Sequence, residues 1–242
     1  MIDDIIQNVE RFLALRRFKD PAFADKLQQL QQWQHERMSE TYWVLLASEA
    51  EADLIKFFFD DIYAGLDLEH LGNKLNKTAK LLNKLFTDLE MVHLAIEFNA
   101  LTGELDEEMT EELFYRMQVD EITPDNYATA FNNIGGEQRR YQQLSLILKF
   151  TTEADDIIHD SVVYNAFKLA KYPAKLGGVG PLYDVIARGF KAVRHTPKPL
   201  LLTQSILDHE RRIYDHILAT GQAFFPTYSE TAETSATEHR PH

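Results

Sequence analysis

Apolar residues recur every three or four positions along almost the whole chain, and this spacing restricts the fold more than any other feature. It places apolar side chains on one face of a helix, whereas a half-buried strand alternates apolar and polar residues. No alternation long enough for a strand is present. Because helices bury their apolar faces against one another, the sequence predicts an all-α fold, an irregular bundle of about ten helices without a sheet.

Short polar residues, prolines and glycines predict where the helices begin and end. Asp20-Pro21 and Thr123-Pro124 have the cap-and-proline pattern of a helix start, and Gly221 is typical of a helix end. Further boundaries are predicted at the Ser48 and Glu51 capping box, Ala64-Gly65, Asp67, the Thr87 and Glu90 capping box, Gly103, Gly135-Gly136 and Pro181. The longest helix is predicted from Glu137 into the 160s, with an inner line of Tyr141, Leu144, Leu148, Ile158 and Val162.

The predicted helices form one domain over residues 1–221, because no linker separates them. Two lobes with merged cores are an alternative, and they would meet at residues 135–136. From residue 222 to 242 the chain is rich in Ser, Thr and Glu and lacks periodic apolar residues. This composition predicts a disordered tail.

Composition excludes several classes of site. The chain has no cysteine, so disulfides, thiolate catalysis and cysteine-bound metals are excluded, and the remaining metal ligands are His, Asp and Glu. The first residues, MIDDIIQNVERF, lack the basic and apolar regions of a signal peptide, and no apolar run is long enough to cross a bilayer. We therefore expect a cytoplasmic protein without membrane insertion.

Charge is distributed unevenly along the chain. The formal net charge of −13 argues against nucleic-acid binding. Residues 102–125 carry nine acids and the single base Arg116, whereas residues 168–198 carry seven bases and the single acid Asp184. Either segment is a candidate surface for a partner, although two solvated faces would give the same pattern. Within the basic segment, Arg188, Lys191 and Arg194 are candidates for binding an anion or a partner.

Several short motifs resemble those of a bacterial family named after its FFLEELY motif. The matching residues are Trp33, Gln34, Arg37, Met38, Thr41 and Tyr42, the segment Phe57, Phe58, Phe59, Asp60, Asp61, Ile62 and Tyr63, then Asp67, the run from Ala100 to Asp106, and Arg188, Gly189 and Phe190. The likeness covers about three-quarters of the chain. It implies no activity, since none is assigned to that family, and its pattern includes Glu97 but requires neither Glu90 nor His93.

The segment FFFDDIY also has a purely structural interpretation. Phe58, Phe59 and Ile62 extend an apolar helical stripe, Asp60 is placed to pair with Lys56 one turn away, and Tyr63 is suited to bury its ring. Aromatic residues at helical spacing usually belong to a core. We therefore favour packing over chemistry for this motif.

Two groups of carboxylates and histidines have the spacing of metal ligands on helices. Glu90, His93 and Glu97 lie on one helical line, and Asp156 with His159 repeats the Glu-x-x-His spacing of carboxylate-bridged metal proteins. A helical capping role explains Glu90 equally well. Asp155 falls on the line predicted to face the core, so it is a candidate buried carboxylate that needs a partner such as His159.

His209 and His216 lie seven residues apart and on one face of the last predicted helix. They are candidates for a haem or metal site, but the charged residues around them favour a solvated face.

No complete catalytic set is present, so we expect a non-enzymatic protein that binds a protein partner or a small ligand. No cofactor is predicted. The alternative is a metal-binding bundle of the iron or manganese carboxylate-histidine type, with oxidative activity, built on the residues given above.

Overall fold

The computed structural model describes residues 1–63 and 89–229, with helices as the only regular elements in those ranges. They confirm the predicted all-α fold. The helices are α1 (Ile2–Leu13), α2 (Pro21–Thr41), α3 (Trp43–Leu46), α4 (Ala52–Lys56), α5 (Glu90–Thr110), α6 (Pro124–Ile134), α7 (Glu137–His159), α8 (Ser161–Leu169), α9 (Lys171–Leu176), α10 (Gly180–His195) and α11 (Pro199–Thr220). A 3₁₀ turn covers Arg16–Phe18, and π-helical segments cover Phe57–Tyr63 and Glu111–Arg116.

Five predicted helix boundaries are confirmed. Gly135-Gly136 separates α6 from α7, and Pro181 lies in the first turn of α10. The Asp20 carboxylate accepts a hydrogen bond from the Phe23 amide and caps α2, whose first residue is Pro21. Thr123 caps α6 through a reciprocal bond with Asn126. Gly221 ends α11 in the left-handed conformation, which glycine adopts without steric cost. Local capping chemistry is therefore readable from the sequence at these positions.

Two other boundary predictions are wrong. Gly103 lies inside α5, where a side chain would meet Leu15, because an added Cβ would stand 2.7 Å from Leu15 Cδ1. Its role is close packing, not helix termination. Helix α4 begins at Ala52 without a side-chain cap, so Ser48 and Glu51 form no capping box. The predicted boundaries at Ala64-Gly65, Asp67 and Thr87 lie outside the described residues.

Helix α7 ends at His159, earlier than predicted. Asp160 takes an extended conformation, and its carboxylate accepts hydrogen bonds from the amides of Val162 and Val163, which starts α8. The buried face of α7 also differs in phase from the predicted inner line. It contains Arg140, Gln143, Leu144, Leu146, Ile147, Phe150, Thr151, Ala154 and Ile157, whereas Tyr141, Leu148 and Ile158 are half-buried and Val162 is exposed.

Helix α5 is buried along most of its length and packs against α1, α2 and α7. Helix α7 in turn packs against α5, α10 and α11. The buried core includes residues from both sides of Gly135-Gly136. Within the described residues, no helix has the length and apolar character needed to cross a membrane.

Candidate functional site

The first group of predicted metal ligands lies near the start of α5. His93 Nε2 is 3.7 Å from a carboxylate oxygen of Glu97, one turn away, and both side chains are about one-fifth exposed. The other Glu97 oxygen accepts a hydrogen bond of 2.9 Å from Gln142 on α7. Glu90 is the first residue of the helix, and its predicted capping partner Thr87 lies outside the described residues. His93 and Glu97 thus lie together as a side-chain pair, and Glu97 already accepts a hydrogen bond from another helix.

The second group lies at the end of α7, where the side chains face solvent. His159 is 74% exposed, and its Nδ1 lies 2.7 Å from the backbone oxygen of Asp155. Asp155 is 25% exposed and Asp156 is exposed. The prediction of a buried Asp155 is wrong, because the buried face of α7 runs through Thr151 and Ala154 instead.

These two groups lie far apart. Glu97 contacts Gln142, while the later α5 residue Glu108 contacts the earlier α7 residue Arg139, so the two helices run antiparallel. Glu97 and Gln142 mark the same level of the two helices. From that level, the helical rise places His93 about 6 Å away along α5 and His159 about 25 Å away along α7. Among residues 1–63 and 89–229, no three His, Asp or Glu side chains are grouped closely enough to hold a metal ion.

A buried ion pair joins α2 to α11 and involves the motif residue Arg37. Its guanidinium donates to both oxygens of Glu210, at 2.8 and 3.2 Å, and the Tyr42 hydroxyl donates to the first of them at 2.9 Å. Both charged side chains are nearly inaccessible to solvent. Burial by itself would raise the pKa of Glu210, but the charge and hydrogen bonds of Arg37 hold that pKa below its ordinary value.

The same ion pair shifts the pKa of Arg37 in the opposite direction, upward. Burial by itself would lower the pKa of its guanidinium, but the Glu210 carboxylate raises it above the ordinary value. The pair is therefore ionised throughout the physiological pH range. Residues separated by 173 positions meet here, and no local sequence pattern signals such a contact.

Residues 222–229, the C-terminal strap, follow α11 and cover this ion pair. The Phe225 ring lies 5.6 Å from the Arg37 guanidinium and 5.9 Å from the Trp33 ring. Tyr228 contacts the rings of Tyr42 and His209 at 5.7 Å. The predicted disorder is thus wrong for residues 222–229, whose aromatic rings bind to the bundle without helical spacing. Residues 230–242 lie outside the described residues.

His209 and His216 have separate environments in the structure. His209 is buried under the strap, with Nε2 3.2 Å from the Pro226 carbonyl oxygen. His216 stacks on Phe224 with ring centroids 4.4 Å apart. The prediction of a solvated face is wrong for His209, which the strap removes from water.

Acidification is expected to weaken the fold through His209. Burial lowers the pKa of this imidazole in the folded chain. As pH falls, the unfolded chain therefore takes up a proton near the ordinary pKa of about 6.5, whereas the folded chain takes it up only at a lower pH. Stability should therefore fall as pH drops below about 6.5, through the range between the unfolded and folded pKa values. Urea unfolding at several pH values checks this, and His209→Gln should flatten the profile above the range where carboxylates titrate. An equally steep profile in His209→Gln would contradict the assignment.

The segments FFFDDIY and Arg188-Gly189-Phe190 pack directly on each other. A Cβ at Gly189 would stand 2.8 Å from Phe57 Cζ and 3.0 Å from Phe150 Cε1, so only glycine leaves room for these rings. Arg188 binds Asp61 with a nitrogen to oxygen distance of 2.7 Å. The predicted anion site therefore loses Arg188, whose charge is already paired.

The other motif residues also make contacts within the chain. Asp60 lies 3.4 Å from His35, rather than beside the predicted Lys56. Phe58 is buried in the core against Phe57. Trp33 stacks on Tyr127 with ring centroids 4.4 Å apart. The side chain of Tyr63 lies outside the described part of the structure. The motif residues that the structure describes thus hold helices together.

Five acids of the acidic segment form ion pairs with arginines, and four of these acids pair with arginines of other elements. Glu104 binds both Arg11 and Arg139, each at 2.8 Å, and Glu107 binds Arg17. The remaining pairs are Glu108 with Arg139, Glu111 with Arg16, and Glu112 with Arg116. Asp106 is buried, which raises the pKa of its carboxyl, and it accepts a hydrogen bond from Gln31. The part of the segment from Glu104 to Glu112 therefore joins helices, whereas Asp120, Glu121 and Asp125 are exposed.

The basic segment retains free charge. Within residues 1–63 and 89–229, no ion pair involves Lys168, Lys171, Lys191 or Arg194. Lys191 and Arg194 are exposed on α10. Helices α8 and α9 also expose four large apolar side chains, Val162 at 77%, Leu169 at 80%, Tyr172 at 71% and Leu176 at 73%. We name these four residues the α8–α9 face.

A cavity of about 360 Å³ lies on α2 beside the FFFDDIY segment. Its size is within the range of small-ligand pockets. Its lining residues are Gln28, Gln31, Gln32, Gln34, His35, Met38 and Phe59. Gln31 donates one amide hydrogen to Asp106, Gln32 donates one to Glu36 and Gln34 donates one to Tyr127.

Comparison with known proteins finds one related family. A family model described as a domain of unknown function (DUF8198) matches residues 14–223, most of the chain. No curated protein and no solved structure matches.

Proposed function

Because the chain belongs to the DUF8198 family of domains of unknown function, which brings no activity with it, we propose a function from its surface. The chain is a non-enzymatic binding protein, and the α8–α9 face docks a protein partner. The observation that carries this proposal is the exposure of four large apolar side chains within fifteen consecutive residues.

Exposed apolar side chains that occur singly are ordinary on a protein surface, but a group on one face marks an interaction site. The α8–α9 face is also firmly held from below. Phe167 stacks on Tyr183 at 4.5 Å and packs edge-on against Phe190 at 4.7 Å, while Ala170 and Ala174 are buried. The exposure therefore belongs to a packed element and not to a frayed chain end, which favours a preformed docking surface.

The family motifs support a binding role over catalysis. Among the polar motif residues, Arg37, Tyr42, Asp61 and Arg188 each already bond a partner within the chain. A catalytic group needs a free approach to its substrate. These side chains instead stabilise the arrangement that presents the α8–α9 face.

The metal-binding alternative has weaker support. His93 and Glu97 lie together and would supply two ligands, but Asp156 and His159 lie at the far end of α7. A stable metal site needs at least three protein ligands in one place.

A photoreactive benzoylphenylalanine at position 172 is expected to crosslink to a discrete partner in the living cell. Tyr172 is 71% exposed and aromatic, so the probe preserves its size and character. Adding Leu169→Glu should abolish the adduct, because a charge in the middle of an apolar contact must be desolvated without a partner. Gel mobility and mass spectrometry of the adduct are the measurements.

The same probe at position 43 is the matched control, because Trp43 is also an exposed aromatic residue at 55% exposure. It should give no such adduct. Identical adducts from both positions, or an adduct at position 172 that survives Leu169→Glu, would contradict a specific docking surface. Thermal unfolding of Leu169→Glu should match the parent chain, since the side chain is 80% exposed.

A further inference from the structure

Helices α8 and α9 form one nearly continuous helical segment. The Ala170 amide donates to Ala166 O at 3.2 Å, and the Ala174 amide donates to Ala170 O at 2.8 Å. Ala170, between the two helices, keeps right-handed dihedral angles of −69° and −13°. Pro173 has no amide to donate, so the run of backbone hydrogen bonds is interrupted after Ala170. The right-handed winding is kept across this interruption, which leaves residues seven apart on about the same side.

The α8–α9 face has the spacing of a coiled-coil seam. Val162, Leu169 and Leu176 are seven residues apart and occupy one position of a heptad, while Asn165 and Tyr172 occupy the position three residues later. These are the a and d positions that face a partner helix. In the folded chain nothing within the described residues covers the apolar members, which remain more than 70% exposed.

Two lysines flank this seam on one edge only. Lys168 and Lys175 both occupy the g position, directly before an a residue, and both are exposed. Lys168 lies over the Tyr164 ring at 4.7 Å, and Lys175 is 3.8 Å from Asp184 in an exposed pair. Such a surface pair contributes little, so both lysines remain available. Charges at g positions choose the partner of a coiled coil.

We infer that the α8–α9 face binds an acidic amphipathic helix. The partner helix carries its own apolar seam at a and d, and Glu or Asp at the flanking positions that meet Lys168 and Lys175. This inference rests on the proposed function and specifies the partner. The apolar seam provides the contact area, and the lysine edge provides orientation and selectivity.

Two other occupants fit the face less well. The e positions are Ala166 and Pro173, so a second copy of the chain would oppose lysine to lysine or to uncharged residues. A membrane-surface helix carries basic residues over its whole polar face, whereas here they line one edge.

The test uses two synthetic helical peptides with leucine at a and d. One carries glutamate at e and g, and its matched control carries lysine there. Fluorescence anisotropy with the full chain should show that the acidic peptide binds about tenfold or more tighter than the lysine peptide. The reason is that the lysine peptide replaces two attractive charge pairs with two repulsive ones. The double variant Lys168→Glu with Lys175→Glu should reverse this preference, and Leu169→Glu should weaken both peptides.

Equal binding of both peptides, or binding of neither, would overturn the inference. Binding to phosphatidylglycerol vesicles that the lysine substitutions abolish, without peptide selectivity, would assign the face to a membrane instead. A chain dimer in sedimentation that Leu169→Glu dissociates would assign it to a second copy. An adduct at position 172 without peptide selectivity would reject the acidic helix and leave the proposed partner-binding function intact.

Discussion

Glu210→Ala is expected to lower the free energy of unfolding by about 3–5 kcal/mol, the usual cost of leaving one member of a buried ion pair without its partner. The substitution removes the only carboxylate that Arg37 contacts within the described residues. A guanidinium that is 10% exposed would then remain charged, with its desolvation uncompensated. Urea unfolding followed by circular dichroism gives the change from the transition midpoint and slope.

Asp61→Ala is the matched control for this experiment, because it also breaks one Arg to carboxylate pair between distant elements. Arg188 is 52% exposed, so water replaces the lost partner and the expected cost is only about 0–1 kcal/mol. Similar losses in the two variants would show that burial does not set the strength of the Arg37 pair. A loss below about 1 kcal/mol in Glu210→Ala would contradict the prediction outright.

Phe57→Ala is expected to lower the free energy of unfolding by about 3–5 kcal/mol, as for other large aromatic residues truncated in a core. Phe57 is buried and stacks on Phe150 with ring centroids 5.7 Å apart. Its removal leaves a cavity against Gly189, where an added Cβ would otherwise stand 2.8 Å from the ring. The measurement is again urea unfolding.

A double-mutant cycle with Gly189→Ala identifies the cause. Alone, Gly189→Ala should cost about 1–3 kcal/mol through overpacking against Phe57 and Phe150. In the Phe57→Ala background it should cost much less, because the cavity accepts the new methyl group and the two effects cease to add. If the losses of unfolding free energy from the two substitutions simply added, Gly189 and Phe57 would not be energetically coupled.

Local chemistry explains which parts of the fold were predictable. Asp20, Thr123 and Gly221 set helix ends through bonds to residues within five positions. Gly103 gave a wrong helix end because its size is required by Leu15, a tertiary neighbour far away in the sequence. Caps follow from neighbouring residues, whereas close packing between helices does not.

The site residues divide in the same way. The His93 and Glu97 contact, one helical turn apart, follows from spacing and is present at 3.7 Å. The Arg37 and Glu210 pair and the strap rings join distant parts of the chain without any periodic signal. The prediction of one helix from Glu137 into the 160s puts Asp160 inside that helix and Val162 on its inner line. Asp160 instead caps α8, and Val162 is exposed.

The Arg37 and Glu210 pair also orders events during synthesis of the protein. Glu210 is translated 173 residues after Arg37. Until then the Arg37 guanidinium has no carboxylate to enter the core with and must stay hydrated. The nascent chain can form α1 and α2 early, but the contact between α2 and α11 can form only after Glu210 has been made.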